Sequence, residues 1–106
     1  MGFKSNHRKP LARLEDIPEQ GSLLVTGPHG EKIALFKKDD KVYALDDCCP
    51  HMDAPLSEGE VENGVVTCPW HGWKFQVDTG ICLNMPGQDA FAIDLIVEEG
   101  LIYLRE

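Results

Sequence analysis

Two short stretches, Cys49-Pro50-His51 and Cys68-Pro69-Trp70-His71, each place one cysteine and one histidine within a turn's length of chain. The first has the order C-x-H and the second C-x2-H, and the 16 residues from Met52 to Thr67 separate them. Thiolate is a soft ligand suited to iron–sulfur cores, and imidazole suits iron and zinc alike. Two thiolates and two imidazoles from two separated loops are the donor set of a [2Fe–2S] centre in which histidines replace two cysteines on one iron. Zinc is the rival for these donors. Structural zinc sites usually pair C-x2-4-C with H-x3-5-H, whereas each half here mixes cysteine with histidine, so iron–sulfur chemistry is the better match. The expected ligands are Cys49, His51, Cys68 and His71.

Replacing thiolate by neutral imidazole removes negative charge. The oxidised core becomes formally neutral, where four thiolates would leave it doubly negative, and a less negative core accepts an electron more readily. Histidines at the tips of surface loops would bring the histidine-bound iron close to a redox partner. Pro50 and Pro69 fix φ directly after each cysteine, and Gly72, after His71, permits a tight turn or a close approach of backbone to sulfide. Gly59 and Gly80 end the two loop regions.

The elements that must hold these loops read as short strands separated by turns. Strands are expected at 22–26, 32–37, 41–45, 60–62, 65–67, 73–77, 91–97 and 101–104. Turns fall at Gly27-Pro28-His29-Gly30, Lys38-Asp39-Asp40, Asn63-Gly64, Asp78-Thr79-Gly80 and Glu98-Glu99-Gly100. Asn-Gly is a strong hairpin signal because both central residues of a type I′ turn need positive φ. Leu14 to Pro18 hints at one helical turn, stopped by the proline. Strands at this spacing predict an all-β sandwich or barrel. The two ligand pairs fall in connections between strands, where a rigid scaffold can hold a reactive site.

With 106 residues, the chain suits one small domain. The expected division is a basic, flexible N-terminus at 1–10 and a single domain over 11–106. Residues 1–13 carry Lys4, Arg8, Lys9 and Arg13 and no acid, so the net charge of −8 conceals a local +4 and a body of −12. An acidic body argues against nucleic acid as a partner and favours docking onto a basic patch. No apolar run approaches the roughly 18–20 residues that span a membrane, and Met1–Pro10 lacks the apolar core of a signal peptide, so a cytoplasmic location and no membrane partner are expected. In such a compartment four cysteines read as ligands or thiols, not a disulfide framework. Cys49 and Cys68 are taken by the motif, and the remaining Cys48 and Cys82 read as structural or incidental.

The stretch Asp46-Asp47-Cys48-Cys49-Pro50-His51-Met52-Asp53-Ala54-Pro55-Leu56, with Cys68-Pro69-Trp70-His71-Gly72-Trp73-Lys74-Phe75 and Asp78-Thr79-Gly80, resembles the Rieske family. Within it, the chain looks like the small ferredoxins that feed ring-hydroxylating dioxygenases. The resemblance implies a sandwich of three antiparallel sheets with two cluster-binding loops at one end, and one Rieske-type [2Fe–2S] cluster. It also implies a one-electron carrier, not an enzyme in itself, working between a flavin-dependent reductase and a terminal oxygenase. The respiratory branch of the family has a second cysteine in each loop, forming a disulfide, and serine and tyrosine hydroxyls donating to cluster sulfurs. The matching positions here are Ala54 and Trp70, then Trp73 and Phe75, so neither device is available. Fewer donors to sulfur imply a potential nearer roughly −150 mV than +300 mV. Trp70 and Trp73 also read as packing aromatics. The alternative is the small subunit of an assimilatory nitrite reductase, whose ending Gly80–Arg105 also resembles.

Overall fold

Ile33-Ala34-Leu35-Phe36 is an unbroken apolar run flanked by Lys32 and Lys37, a pattern expected of a strand covered on both faces. The computed structural model, which describes residues 10–19, 21–28, 30–47, 55–70 and 72–105, places this run at the centre of the molecule. Ten strands are present among the described residues: β1 (Ala12–Arg13), β2 (Ser22–Thr26), β3 (Lys32–Lys38), β4 (Lys41–Asp46), β5 (Glu60–Glu62), β6 (Val65–Thr67), β7 (Lys74–Gln76), β8 (Ala92–Ile93), β9 (Leu95–Glu98) and β10 (Leu101–Leu104). They form three antiparallel sheets, in the orders β1-β10-β9, β2-β3-β4-β8 and β5-β6-β7.

The four-stranded sheet is the middle layer. From β3, Ala34 and Phe36 enter one core with Leu45, Leu56, Val61, Val66, Cys68, Phe75 and Val77, shared with the small β5-β6-β7 sheet. Ile33 and Leu35 enter the other core with Ile17, Ala44 and Ile102, shared with the terminal sheet. All four β3 residues are essentially inaccessible. Truncating Leu35 to Ala would leave a cavity worth roughly 2–5 kcal/mol.

Three two-residue turns join neighbouring strands with positive φ at both central positions: Asp39-Asp40 (53° and 65°), Asn63-Gly64 (53° and 78°) and Glu99-Gly100 (52° and 79°). That is the type I′ geometry, whose twist matches the flanking strands. The expected turns at 38–40 and 98–100 are each one residue shorter, because Lys38 pairs with Lys41 and Glu98 with Leu101.

The expected strand at 91–97 is instead two strands in two sheets. β8 pairs with β4, β9 pairs with β10, and Asp94 between them turns the corner, its carbonyl accepting from the Arg105 amide at 3.1 Å. β1 escapes a sequence reading because its two residues are extended only by pairing with β10, supported by the Leu11 amide on the Ile102 carbonyl at 2.6 Å. The helical turn at 14–18 is a short 310 turn, Leu14–Asp16. No helix among the described residues is long and apolar enough to cross a membrane. The basic N-terminal stretch 1–9 and His29 lie outside the described residues.

Candidate functional site

Of the four expected ligands, Cys68 lies within the described residues; Cys49, His51 and His71 lie outside them, as do Cys48 and Ala54. The residues that frame each ligand loop are described.

The second loop rises from the hairpin β6–β7. Its neck closes by backbone bonds: the Cys68 amide donates to the Trp73 carbonyl at 2.7 Å, carrying the ladder one step beyond the Thr67–Lys74 pair. The Gly72 amide turns back onto the Cys68 carbonyl at 3.1 Å. Gly72 has φ of +76°, where a side chain would be strained although a Cβ would meet no atom within 4 Å. Cys68 is buried in the core beneath this loop, 1% exposed. The two tryptophans separate: Trp73 packs against the core, whereas Trp70 is 60% exposed at the loop's tip and is not a packing residue.

The first loop leaves β4 and returns through the 310 turn Leu56–Glu58. A side chain closes its neck. The Asp47 carboxylate accepts from the Ser57 amide at 2.5 Å and from the Ser57 hydroxyl at 3.0 Å. The Asp47 amide is held in turn by the Lys32 carbonyl at 3.0 Å, and the Ser22 hydroxyl donates to the Ser57 carbonyl at 2.6 Å. Just beyond, Gly59 lies so close to the Thr67 carbonyl that no Cβ would fit there. This close approach sets the return of the first loop beside the start of the second, at one edge of the small sheet.

A third segment supports the second loop. Residues 81–83 run along β7: the Gln76 amide donates to the Ile81 carbonyl at 2.9 Å, Phe75 bridges Cys82, and the Leu83 amide donates to the Lys74 carbonyl at 2.7 Å. Cys82 is structural, buried in the same core as Cys68, with its amide on Asp89 at 2.9 Å. Behind the hairpin, Lys38 Nζ meets Asp78 Oδ2 at 2.9 Å, tying the end of β3 to the turn after β7. That contact, above all its hydrogen bond, raises the Lys38 pKa above the ordinary 10.5. The sequence reading missed Asp47, Ser57 and the support from 81–84, because each acts across a sequence gap that spacing rules do not span.

A buried thiol at a strand end, beneath a glycine turn that leaves room beside the loop, suits a sulfur-bound metal cluster: thiolate is the donor iron–sulfur cores require. Among the described residues, Cys68 is thus a donor that fits a [2Fe–2S] group. Comparison with known proteins points the same way. The family described as the Rieske [2Fe–2S] domain matches residues 7–98. The 3-phenylpropionate/cinnamic acid dioxygenase ferredoxin subunit of Photorhabdus laumondii is 37% identical over 96 residues, covering 89% of this chain and 90% of that protein. Other relatives are far longer: human apoptosis-inducing factor 3 is 37% identical over 70% of this chain, which spans 12% of its length. Among solved structures, Sphingomonas yanoikuyae B1 ferredoxin superposes with a TM-score of 0.85 at 22% identity over 94% of this chain and 99% of that one, a likeness of fold. A chain in the complex of reduced oxygenase and oxidized ferredoxin in carbazole 1,9a-dioxygenase superposes with a TM-score of 0.81 at 28% identity, over 92% of this chain and 100% of that one.

Proposed function

The chain belongs to the family of Rieske [2Fe–2S] domains, and from that premise we propose that it is a one-electron carrier between a flavin-dependent reductase and the terminal oxygenase of a ring-hydroxylating system. The observation that carries this reading is the end-to-end match to a dioxygenase ferredoxin subunit, 90% of whose length the chain covers. The same relatives favour this role over that of a nitrite reductase subunit.

In this proposal Cys49 and Cys68 supply the two thiolates and His51 and His71 the two imidazoles. When bound, the [2Fe–2S] group supplies one reversible one-electron step. The chain's own residues do the rest. Asp47 and Ser57 fix the first loop, and the Cys68–Trp73 ladder fixes the second. Both loop necks are thereby tied to the sheets, which favours little reorganisation when the charge changes. The exposed carboxylates of Glu58 and Glu60 lie beside the loop necks, Glu60 opposite Thr67. They suit a basic docking patch and faster encounter at low salt.

A potentiometric titration of the purified holoprotein, followed by electron paramagnetic resonance, tests the reading. The expected result is a reduced centre with imidazole-nitrogen coupling and a midpoint near the lower end of the Rieske range, roughly −150 mV. A midpoint near the upper end would exclude the low-potential role, and failure of the reduced protein to pass its electron to a ring-hydroxylating oxygenase would exclude the carrier.

A further inference from the structure

Asn84 stands where the ladder along β7 runs out of backbone. The Leu83 amide donates to the Lys74 carbonyl at 2.7 Å. One step on, the Lys74 amide donates to the Asn84 side-chain Oδ1 at 3.0 Å, and Asn84 Nδ2 donates to the Gly72 carbonyl at 3.1 Å. The Cys82 thiol also points at Oδ1, at 3.5 Å. A carboxamide carries one carbonyl acceptor and N–H donors, the same groups as a peptide unit. The side chain thus continues the sheet by one artificial peptide, past the end of β7 and onto the ligand loop.

We propose that Asn84 is a positioning residue for the second ligand loop, holding Gly72 and, through it, the adjoining His71. The inference rests on the assignment of Cys68 and His71 as ligands. Gly72 is gripped from both sides: its amide lies on the Cys68 carbonyl at 3.1 Å and its carbonyl on Asn84. A glycine, which has no Cβ to restrict it, is free to leave this positive φ once either grip is lost. Hydrogen bonds made directly to metal-bound imidazoles are worth about 10–100-fold in metal affinity; Asn84 acts one residue away, through the Gly72 backbone, so the lower end of that range, about tenfold, is expected. Asn84 is itself exposed, so its removal opens no cavity.

The test compares holoprotein variants by the rate of iron release to a chelator and by the spectrum of the reduced centre. Asn84→Asp keeps the shape and the acceptor for Lys74 but, ionised, cannot donate to the Gly72 carbonyl. Asn84→Ala removes both bonds. Both variants are expected to release iron about tenfold faster than wild type, with altered imidazole-nitrogen couplings. Ile102→Val, in the opposite core, is expected to lower the melting temperature without changing either readout. Wild-type release rates and couplings in both variants would overturn the inference alone, as would equal acceleration by Ile102→Val. Absence of nitrogen coupling in the wild-type spectrum would overturn the His71 assignment and this inference with it.

Discussion

The two ligand loops are built by opposite means. The second is the tip of a hairpin: its neck is the next rung of a backbone ladder, Cys68 to Trp73, and its cysteine sits in the core. The first is a long connection between two sheets, and a carboxylate holds its neck shut, Asp47 gripping both the amide and the hydroxyl of Ser57. Backbone closure tolerates almost any side chain, whereas closure by a carboxylate depends on one residue. The first loop is therefore the more fragile to substitution, and the second the more fragile to changes in backbone freedom.

Five substitutions break or sharpen this contrast. Cys68→Ala should have the largest effect, removing a ligand and a core side chain together; iron and sulfide analysis should find the cluster lost or severely depleted, and full occupancy would refute the ligand. Asp47→Ala should come next. It removes two charge-assisted hydrogen bonds at a partly exposed site, for a loss of about 1–2 kcal/mol in urea denaturation, with Ser57→Ala costing less because the backbone amide bond remains. Gly72→Ala tests the other loop. No atom blocks the new Cβ, so the cost is the left-handed backbone alone, about 1 kcal/mol, and a larger loss would show that the turn also needs space for the cluster. Lys38→Met should do least, because its ion pair braces the hairpin's base and neither neck. Since Asp78 raises the Lys38 pKa, the pair's contribution is complete below 10.5 and fades as pH climbs through the higher folded value. The stability gap between wild type and Lys38→Met should thus narrow above pH 10.5; a gap constant across that range would remove the electrostatic account.

Local chemistry was legible in the sequence, and tertiary choices were not. Asn63-Gly64 announces its turn because few residue pairs accept two positive φ values. The strand that follows, Val65-Val66-Thr67, is wholly β-branched. The run 91–97 looks continuous because Ile93-Asp94-Leu95 keeps a two-residue alternation; that Asp94 marks a change of sheet depends on β4 and β10, which no local pattern mentions. The same holds at the site. Cysteine and histidine spacing announces a cluster, since few other uses need those donors in that order. Asp47, Ser57 and Asn84 announce nothing, because a carboxylate or an amide in a loop has many uses and its partner lies ten or more residues away. Trp70 and Trp73 show the limit for aromatics: two tryptophans three apart, one packed against the core and one in solvent, divided only by where the hairpin ends.

The double-sided burial of β3 also governs what happens when the protein comes apart. Ile33-Ala34-Leu35-Phe36 is short, uncharged and strongly strand-forming, the composition of segments that stack between chains once uncovered. Opening either core bares one of its faces. Lys32 at one end and Lys37 and Lys38 at the other place like charges where two copies would align, and such flanking charges oppose edge-to-edge pairing. The strand that joins the two cores therefore carries its own guard against self-association.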